Sequence, residues 1–491
     1  MVATVSPSDR AIARVSGVRM QLCGGLGDPL AQPPVVPVHS AMLTSDDLAA
    51  LQAGSFELHC LDMQLRQRAT DAPHVYRGPG RIIRDPAGAL KLTIYGPGPI
   101  TLEELAERPV PCGGMAPPQA FYDLEARDLY GRTWRSTYVL PSLLTVNFEI
   151  WAVITAELQS IEGAAAREQP QNGQDEYLTL HFHAPVDLPC NARTVTRTAV
   201  DGRAGESISV RWDVARFDAL DRRFEIRPGE SGFVVNVKGA DPAPPGFGRH
   251  VVDALRFVLG AVPAVAVAHV RNGIHEHVTV YAVPKPDGTS GLHRPIPGHV
   301  VDAEGHTWHL FDRYLRHVST AGDRRHPLSI AWVGVVRAAS GSVETQALVW
   351  SVAVEQVVRL RPESNEDQES PETRAELVQW AEQAREVLRE RDCPEHVLTR
   401  LSGLLARVNE VTKPSPRNTL HALERRGVIT ATHLAAWKHV RPASAHGDFQ
   451  AAKDPEGRSR EVLVVLMLLY RLVYDVIGFK GPLADYYTGP G

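Results

Sequence analysis

The pattern of the chain changes near residue 340, and this constrains the fold more than any single motif. From about Ser55 to Val336, short runs rich in β-branched and aromatic residues alternate with Gly, Pro and Asp turns. SFELHCLDM, ALKLTIYG, SISVRW, GFVVNVKG and AVAVAHV have strand length and composition, and YGPGPI, ADPAPPGFG and VPKPDGTSG read as the loops between them. One helix interrupts this region, HVVDALRFVLGA, starting near His250 and carrying apolar residues at helical intervals. Past Ser340 the chain turns to long segments rich in Ala, Leu, Glu and Arg, which places a boundary at 337–342. The expected architecture is α+β and multidomain: residues 1–339 form a β-rich sandwich or barrel of one or two subdomains with a sensing or regulatory role, and residues 340–491 form an all-α bundle.

Within the second part, Ser342 to Leu360 reads as a helix with Leu348, Val352, Glu355 and Val358 near one face. Glu372 to Arg391 is a charged, solvent-facing helix with an apolar seam of Leu377, Trp380, Ala384 and Leu388. PEHVLTRLSGLLARVNE, SPRNTLHALERRG and ATHLAAWKHV give shorter segments, and a last long helix runs from Arg458 to Ile477 and stops at Gly478. Its apolar run, Val462 to Tyr470, falls short of the roughly 20 residues that span a bilayer and reads as a buried core helix, so no membrane partner is expected.

A length of 491 residues calls for two or three domains, and 43% hydrophobic with 22% charged residues suits folded cores. A net charge of −5 gives no chain-wide attraction to nucleic acid, so any RNA contact must be local. The five cysteines, scattered and without a CxxC pair, argue for a reducing compartment and against a disulfide framework or zinc ribbon. MVATVSPSDRAIARVSG lacks the apolar core of a secretory signal, so a cytoplasmic location is expected.

Chemistry concentrates in Trp437-Lys438-His439-Val440-Arg441-Pro442-Ala443-Ser444-Ala445-His446-Gly447. Residues five apart on an unbroken helix diverge by about 140°. Pro442 removes a backbone donor and biases Arg441 away from helical angles, so the segment is expected to turn there and bring Arg441 and His446 to one pocket. Metal-free RNA cleavage needs a proton-transfer group, which histidine supplies, and fixed positive charge on the phosphate, which a guanidinium supplies. The spacing alone is weak: it recurs at Arg68/His74, Arg271/His277, Arg294/His299, Arg391/His396 and Arg426/His433. Context separates this copy from the rest, with Trp437 before it, Gly447 after it, then VLVVLMLLYRLVYDVIGFKG and LADYY.

On those residues, and on QALVWSVAVEQVV with Glu355, about residues 340–491 resemble the HEPN ribonuclease domain of the Apea-like branch, associated with bacterial defence against phage. RGPGRIIRDPAGALKLTIYG and DLYGRTWRS carry only a faint similarity to the N-terminal regions of that branch. The resemblance implies a helical bundle that forms a homodimer or higher oligomer, bringing two R-x(4–6)-H motifs together, and abortive-infection endoribonuclease activity with no metal or other cofactor. Arg441 is then the phosphate-binding residue and His446 the proton-transfer residue. Lys438 and Glu355 are candidate substrate-binding residues, the first by adding charge to the RNA groove and the second by orienting Arg441. Solvated lysine and a polar network within the bundle are the plainer readings of those two, and Trp437 reads as core.

A histidine cluster, His181 and His183 in LHFHAP with His269, His275 and His277 in HVRNGIHEHV, has strand geometry that zinc sites use. No acidic or cysteine partner sits at ligand spacing, so no metal is expected. GGLGDP lacks a dinucleotide-fold context and no GxxxxGK[ST] occurs. The reading that competes with the nuclease is a binding or scaffold protein, in which the bundle only dimerises and the β-rich region recognises a phage or host component. Pro442, where active members commonly carry a polar residue, favours it, and His446-Gly447 favours the nuclease. A hydrolase built on the histidines is the third reading.

Overall fold

A computed structural model describes residues 42–96, 116–147, 151–166, 176–183, 186–199, 206–229, 232–239, 241–283, 291–361, 371–391, 393–400, 403, 415–446 and 455–483. Six strands close on themselves: β1 (Glu57–Gln67), β2 (Val75–Arg84), β3 (Leu90–Tyr95), β4 (Tyr122–Asp128), β5 (Thr133–Asn147) and β6 (Trp151–Leu158). They pair antiparallel in the order β1-β2-β3-β6-β5-β4, and β4 returns to β1. Closure leaves no open edge in this barrel. Alternating burial along β1 and β3 sends Leu58, Met63, Leu65, Leu92 and Ile94 to the core with Trp134 and Ile154. Helix α1 (Ser45–Ala53), held by a Thr44/Asp47 capping box, lies just before β1.

Beyond the barrel the pairing continues through β7 (Ser160–Ala166), β8 (Glu176–Phe182), β9 (Ala192–Ala199), β10 (Glu206–Ala219), β11 (Arg222–Pro228), β12 (Phe233–Gly239), β13 (Val265–Asn272) and β14 (His275–Tyr281). Their order is β7-β14-β13-β8-β12-β11-β10-β9, with β7 joined to β5 through Trp134↔Gly163 and Arg135↔Glu162. A Cβ on Gly163 would stand 2.1 Å from Met42 Cε and 3.1 Å from the Trp134 ring, so a side chain at this crossing point would require the end of Met42 to move and the Trp134 ring to give. One face of the extended sheet gives Val267, Val278 and Val280 to the barrel core. The other gives Leu178, Leu180, Phe224 and Val235 to the helices. All five runs read as strands from the sequence lie in strands here, and both a barrel and an open sheet are present.

The helices are α2 (Phe247–Leu259), α3 (Ala303–Ser319), α4 (Pro327–Ala338), α5 (Val343–Arg359), α6 (Pro371–Glu390), α7 (Pro416–Arg425), α8 (Ala431–His446) and α9 (Pro455–Ile477). Where one helix was expected in the β-rich region from Ser55 to Val336, the described residues hold three, α2, α3 and α4. The repeat in α3 of Trp308, Phe311, Tyr314, Leu315 and Val318 is helical, but the four histidines and arginines among them obscure it. These helices share one apolar cluster with α5, α7, α8, α9 and strands β8 and β10–β12, so the core runs without interruption across residue 340. Ring contacts stitch it together: Phe217 stacks on Trp308 at 4.3 Å and Phe257 on Tyr314 at 4.6 Å, and Trp332 meets Tyr470 at a tilt at 5.3 Å. Asp253, 1% exposed, pairs with Arg256 on its own helix at 2.8 Å and ties α2 to the α3–α4 connection through Arg325 at 2.7 Å.

Residues Val462 to Tyr470 of α9 pack into this cluster, all buried except the half-buried Leu463, and α9 ends at Gly478 with φ +67°. Among the described residues no helix is long and apolar enough to cross a membrane. In α5 the expected face is the core face only in part: Val358 is buried, but Leu348 and Val352 are 43% and 46% exposed, and Ala347, Trp350, Val354 and Val357 are buried instead. Both stripes are apolar, and the bulk of Trp350, whose Nε1 donates to Val335 O at 3.0 Å, decides between them. On α6 the seam residues Trp380 and Ala384 are exposed. PEHVLTRLSGLLARVNE falls largely outside the described residues.

Candidate functional site

Helix α8 begins its packing with Leu434, Ala436, Trp437 and Val440, all buried. This anchored stretch carries the helix straight through Pro442 to His446, so the turn expected at Pro442 is absent. Proline removes one intrahelical bond and disfavours helical angles before it. Here the seated apolar face, together with a hydrogen bond from Arg441 to α5, outweighs that local bias. Arg441 and His446 therefore sit about 140° apart around one helix. His446 closes α8; its side chain and Gly447 lie outside the described set.

Arg441 is fixed from two sides. Its Nε donates to Glu355 Oε1 on α5, and its guanidinium lies 5.8 Å from the centre of the Trp437 ring. Trp437 is itself 4% exposed and donates through Nε1 to the Ser351 carbonyl at 3.3 Å, so it serves as core and as a platform under the arginine. Glu355 also faces Arg359 at 3.9 Å. The Arg441 side chain is 48% exposed against 18% for Glu355, which leaves a held guanidinium in contact with solvent.

Lys438, three residues before Arg441 and so on nearly the same side of α8, donates to His421 Nε2 on α7 at 3.0 Å. His421 Nδ1 in turn lies 3.4 Å from the Glu424 carboxylate. On another side of α8, His439 Nδ1 donates to Glu461 Oε2 at 2.8 Å. The structure thus groups Arg441 with Glu355 and Arg359 on α5, and sets Lys438, nearly one turn earlier on α8, against His421 on α7. Sequence reading missed His421 because it lies on a separate helix, and only the α7–α8 packing joins it to Lys438. This group can hold an anionic ligand on rigid helical supports, with carboxylates in place to orient the cations.

The histidines divide between the two faces of the sheet. Alternation puts His181 and His183 on one side of β8, and His269 on β13 comes to the same side. His275 and His277 on β14 are exposed on the opposite side. Glu276 between them is buried to 1% and meets His269 Nε2 at 2.9 Å, while also accepting from Met42 N at 3.1 Å. It is the acidic partner that linear spacing failed to reveal, since the β13–β14 hairpin sets Glu276 beside Arg271. Burial, reinforced by His269, lowers the His181 pKa to about 4. Among the described residues no group of three or more His, Cys, Asp or Glu is placed to hold a metal ion.

No protein-family model, curated protein or solved structure matches this chain. Function must therefore be argued from these sites alone.

Proposed function

We propose that the protein is a metal-independent endoribonuclease of HEPN type, acting in bacterial anti-phage defence, with a site completed by a second copy of the chain. The observation that carries this reading is Arg441: a half-exposed guanidinium locked between Glu355 and Trp437, with Lys438 three residues earlier on the same helix. Arg441 binds the scissile phosphate and stabilises the negative charge that builds on its non-bridging oxygens. His446 takes the proton from the 2′-hydroxyl as that oxygen attacks phosphorus. The bond to the 5′-oxygen breaks, a proton goes to that leaving oxygen, and the products are a 2′,3′-cyclic phosphate and a 5′-hydroxyl end.

The separation of Arg441 and His446 around α8 calls for a second subunit, because two facing copies of the motif supply cations and imidazoles to one groove. Leu348 and Val352 support this. They lie on the same face of α5 as Glu355, at spacings of four and three, and are exposed although apolar. A second copy laid on that face would cover them and bring its own α8 close to Arg441. The β-rich region would restrain, sense or target. The binding-protein reading draws on the same unbroken helix, which keeps Arg441 and His446 apart within one chain.

The test uses purified full-length protein with RNA in the presence of EDTA. Cleavage that survives chelation and disappears in His446→Ala and Arg441→Ala, with light scattering showing a dimer or larger, is the expected result. A strictly monomeric protein at micromolar concentration, or cleavage restored only by added zinc or magnesium, would sink the composite-site nuclease.

A further inference from the structure

The connection between α3 and α4, residues 320–326, involves none of the residues assigned to RNA and is pinned to α2 along its length. His250 of α2, 2% exposed, donates from Nε2 to the Gly322 carbonyl at 2.7 Å. Arg249 donates to Asp323 Oδ1 at 3.3 Å, and Arg325 meets buried Asp253 at 2.7 Å. The connection ends at His326, the N-cap of α4, whose Nδ1 accepts from the Leu328 N–H at 3.1 Å. The common caps Ser, Thr, Asp and Asn offer an oxygen that accepts throughout the neutral range. An imidazole nitrogen accepts only while it carries no proton.

A proton on His326 would oppose this cap from every side. The Nδ1–H of an imidazolium would face the Leu328 N–H, donor against donor. Its charge would stand at the positive end of the α4 dipole, where cations are unfavourable. The ring of His317 on α3 lies 4.7 Å away, edge to face, and His250 of α2 adds its field. The carboxylates along the connection are turned elsewhere, Asp253 to Arg256 and Arg325 and Asp323 to Arg249, while Arg324 is exposed. Burial, with His317 and His250, accordingly holds His326 down to about 4, and burial also lowers His317.

We propose that His326 makes the α3–α4 connection a proton-operated latch, in which the neutral imidazole cap holds the first turn of α4 closed and acidification releases it. The rest of α4 is anchored independently. Trp332 packs against Phe257 at 4.8 Å and Tyr470 at 5.3 Å, and the Val335 carbonyl accepts from Trp350 of α5. The movable part is therefore the connection with the first turn, and opening uncovers Leu328, which is fully buried when the latch is closed. Because the closed state keeps His326 neutral, the latch is fully held above pH 6.5 and is lost as pH falls toward 4. With His326 at about 4 when closed and 6.5 when open, the opening equilibrium rises about tenfold between pH 7.5 and 5.5. A capping oxygen in place of the imidazole keeps the turn and loses the response.

The experiment is hydrogen–deuterium exchange of the full chain, read by mass spectrometry at pH 7.5 and 5.5, with each rate divided by the intrinsic exchange rate at that pH. In wild type, protection of the peptide containing Leu328 should fall about tenfold more than that of Val462 to Tyr470 in α9. His326→Asn supplies a capping oxygen that does not titrate and should remove most of that difference. His326→Ala removes the cap and should lose protection several-fold at both pH values. Exchange at the imidazole C2 position, followed across pH in wild type, reads the pKa of His326 directly and needs no variant to fold; it should lie well below 6.5. No extra loss of protection in wild type, an equal loss in His326→Asn, or an ordinary pKa for His326 would each overturn the latch.

Discussion

Arg441→Ala separates a structural from a catalytic role by magnitude. The arginine side chain is 48% exposed and its partner Glu355 18% exposed, and an ion pair this open to solvent contributes about 0–1 kcal/mol to stability. Its ring contact with Trp437, at 5.8 Å, adds about 0.5–1 kcal/mol. Truncation should therefore destabilise the fold by roughly 1–2 kcal/mol at most and leave Trp437 seated on Ser351. Loss of a preorganised donor at a developing charge costs about 10²–10³ in rate. With a fluorescent RNA reporter under single-turnover conditions and EDTA, Arg441→Ala should lose that factor while its circular dichroism and oligomeric state stay as in wild type. Arg441→Lys should fall between, since it keeps charge but loses the fork. Glu355→Gln, at a positioning residue, should reduce kcat more than it raises KM, because the guanidinium stays but is no longer oriented. Full activity in a folded Arg441→Ala protein would refute the assignment, as would activity that falls only in step with the folded fraction.

His446→Ala should remove cleavage, and any toxicity on expression, by about 10²–10⁴-fold without changing oligomeric state, while Arg294→Ala with His299→Ala, the same spacing and Arg-Pro start outside the helical region, should leave cleavage intact. Leu348→Asp with Val352→Asp should convert an associated protein to monomer in light scattering, since both positions are exposed in the single chain and their replacement disturbs no core. Stability should fall as pH drops from about 6.5 toward 4. His181, lowered to about 4 by burial and His269, and His326, lowered to about 4 by burial with His317 and His250, stay neutral in the native state over a range where the unfolded chain takes up protons. Their joint effect, about 1–3 kcal/mol after allowing for partial exposure, is fully present above pH 6.5; chemical denaturation at pH 7.5 and 5 checks it, and equal midpoints would contradict it.

How much of this was legible in the sequence depended on the range over which each signal acts. Strand runs such as ALKLTIYG and the final helix were readable because their periodicity is local and strong. The apolar face of α5 was not, since Leu348/Val352 and Ala347/Trp350/Val354 are both plausible stripes and only the neighbouring helices select one. At Pro442 the local rule pointed to a turn, and tertiary packing of Trp437 and Val440 with the Arg441–Glu355 contact prevailed. The buried Arg84 is the extreme case: nothing around RIIRD distinguishes it from the exposed arginines of the same strand. It becomes unusual only when closure of the barrel buries it and the β8–β13 pairing brings His181 and His183 alongside. Taking such a charge out of water costs stability, and Asp85, next in sequence, offsets it only in part because its carboxylate is paired with Lys91.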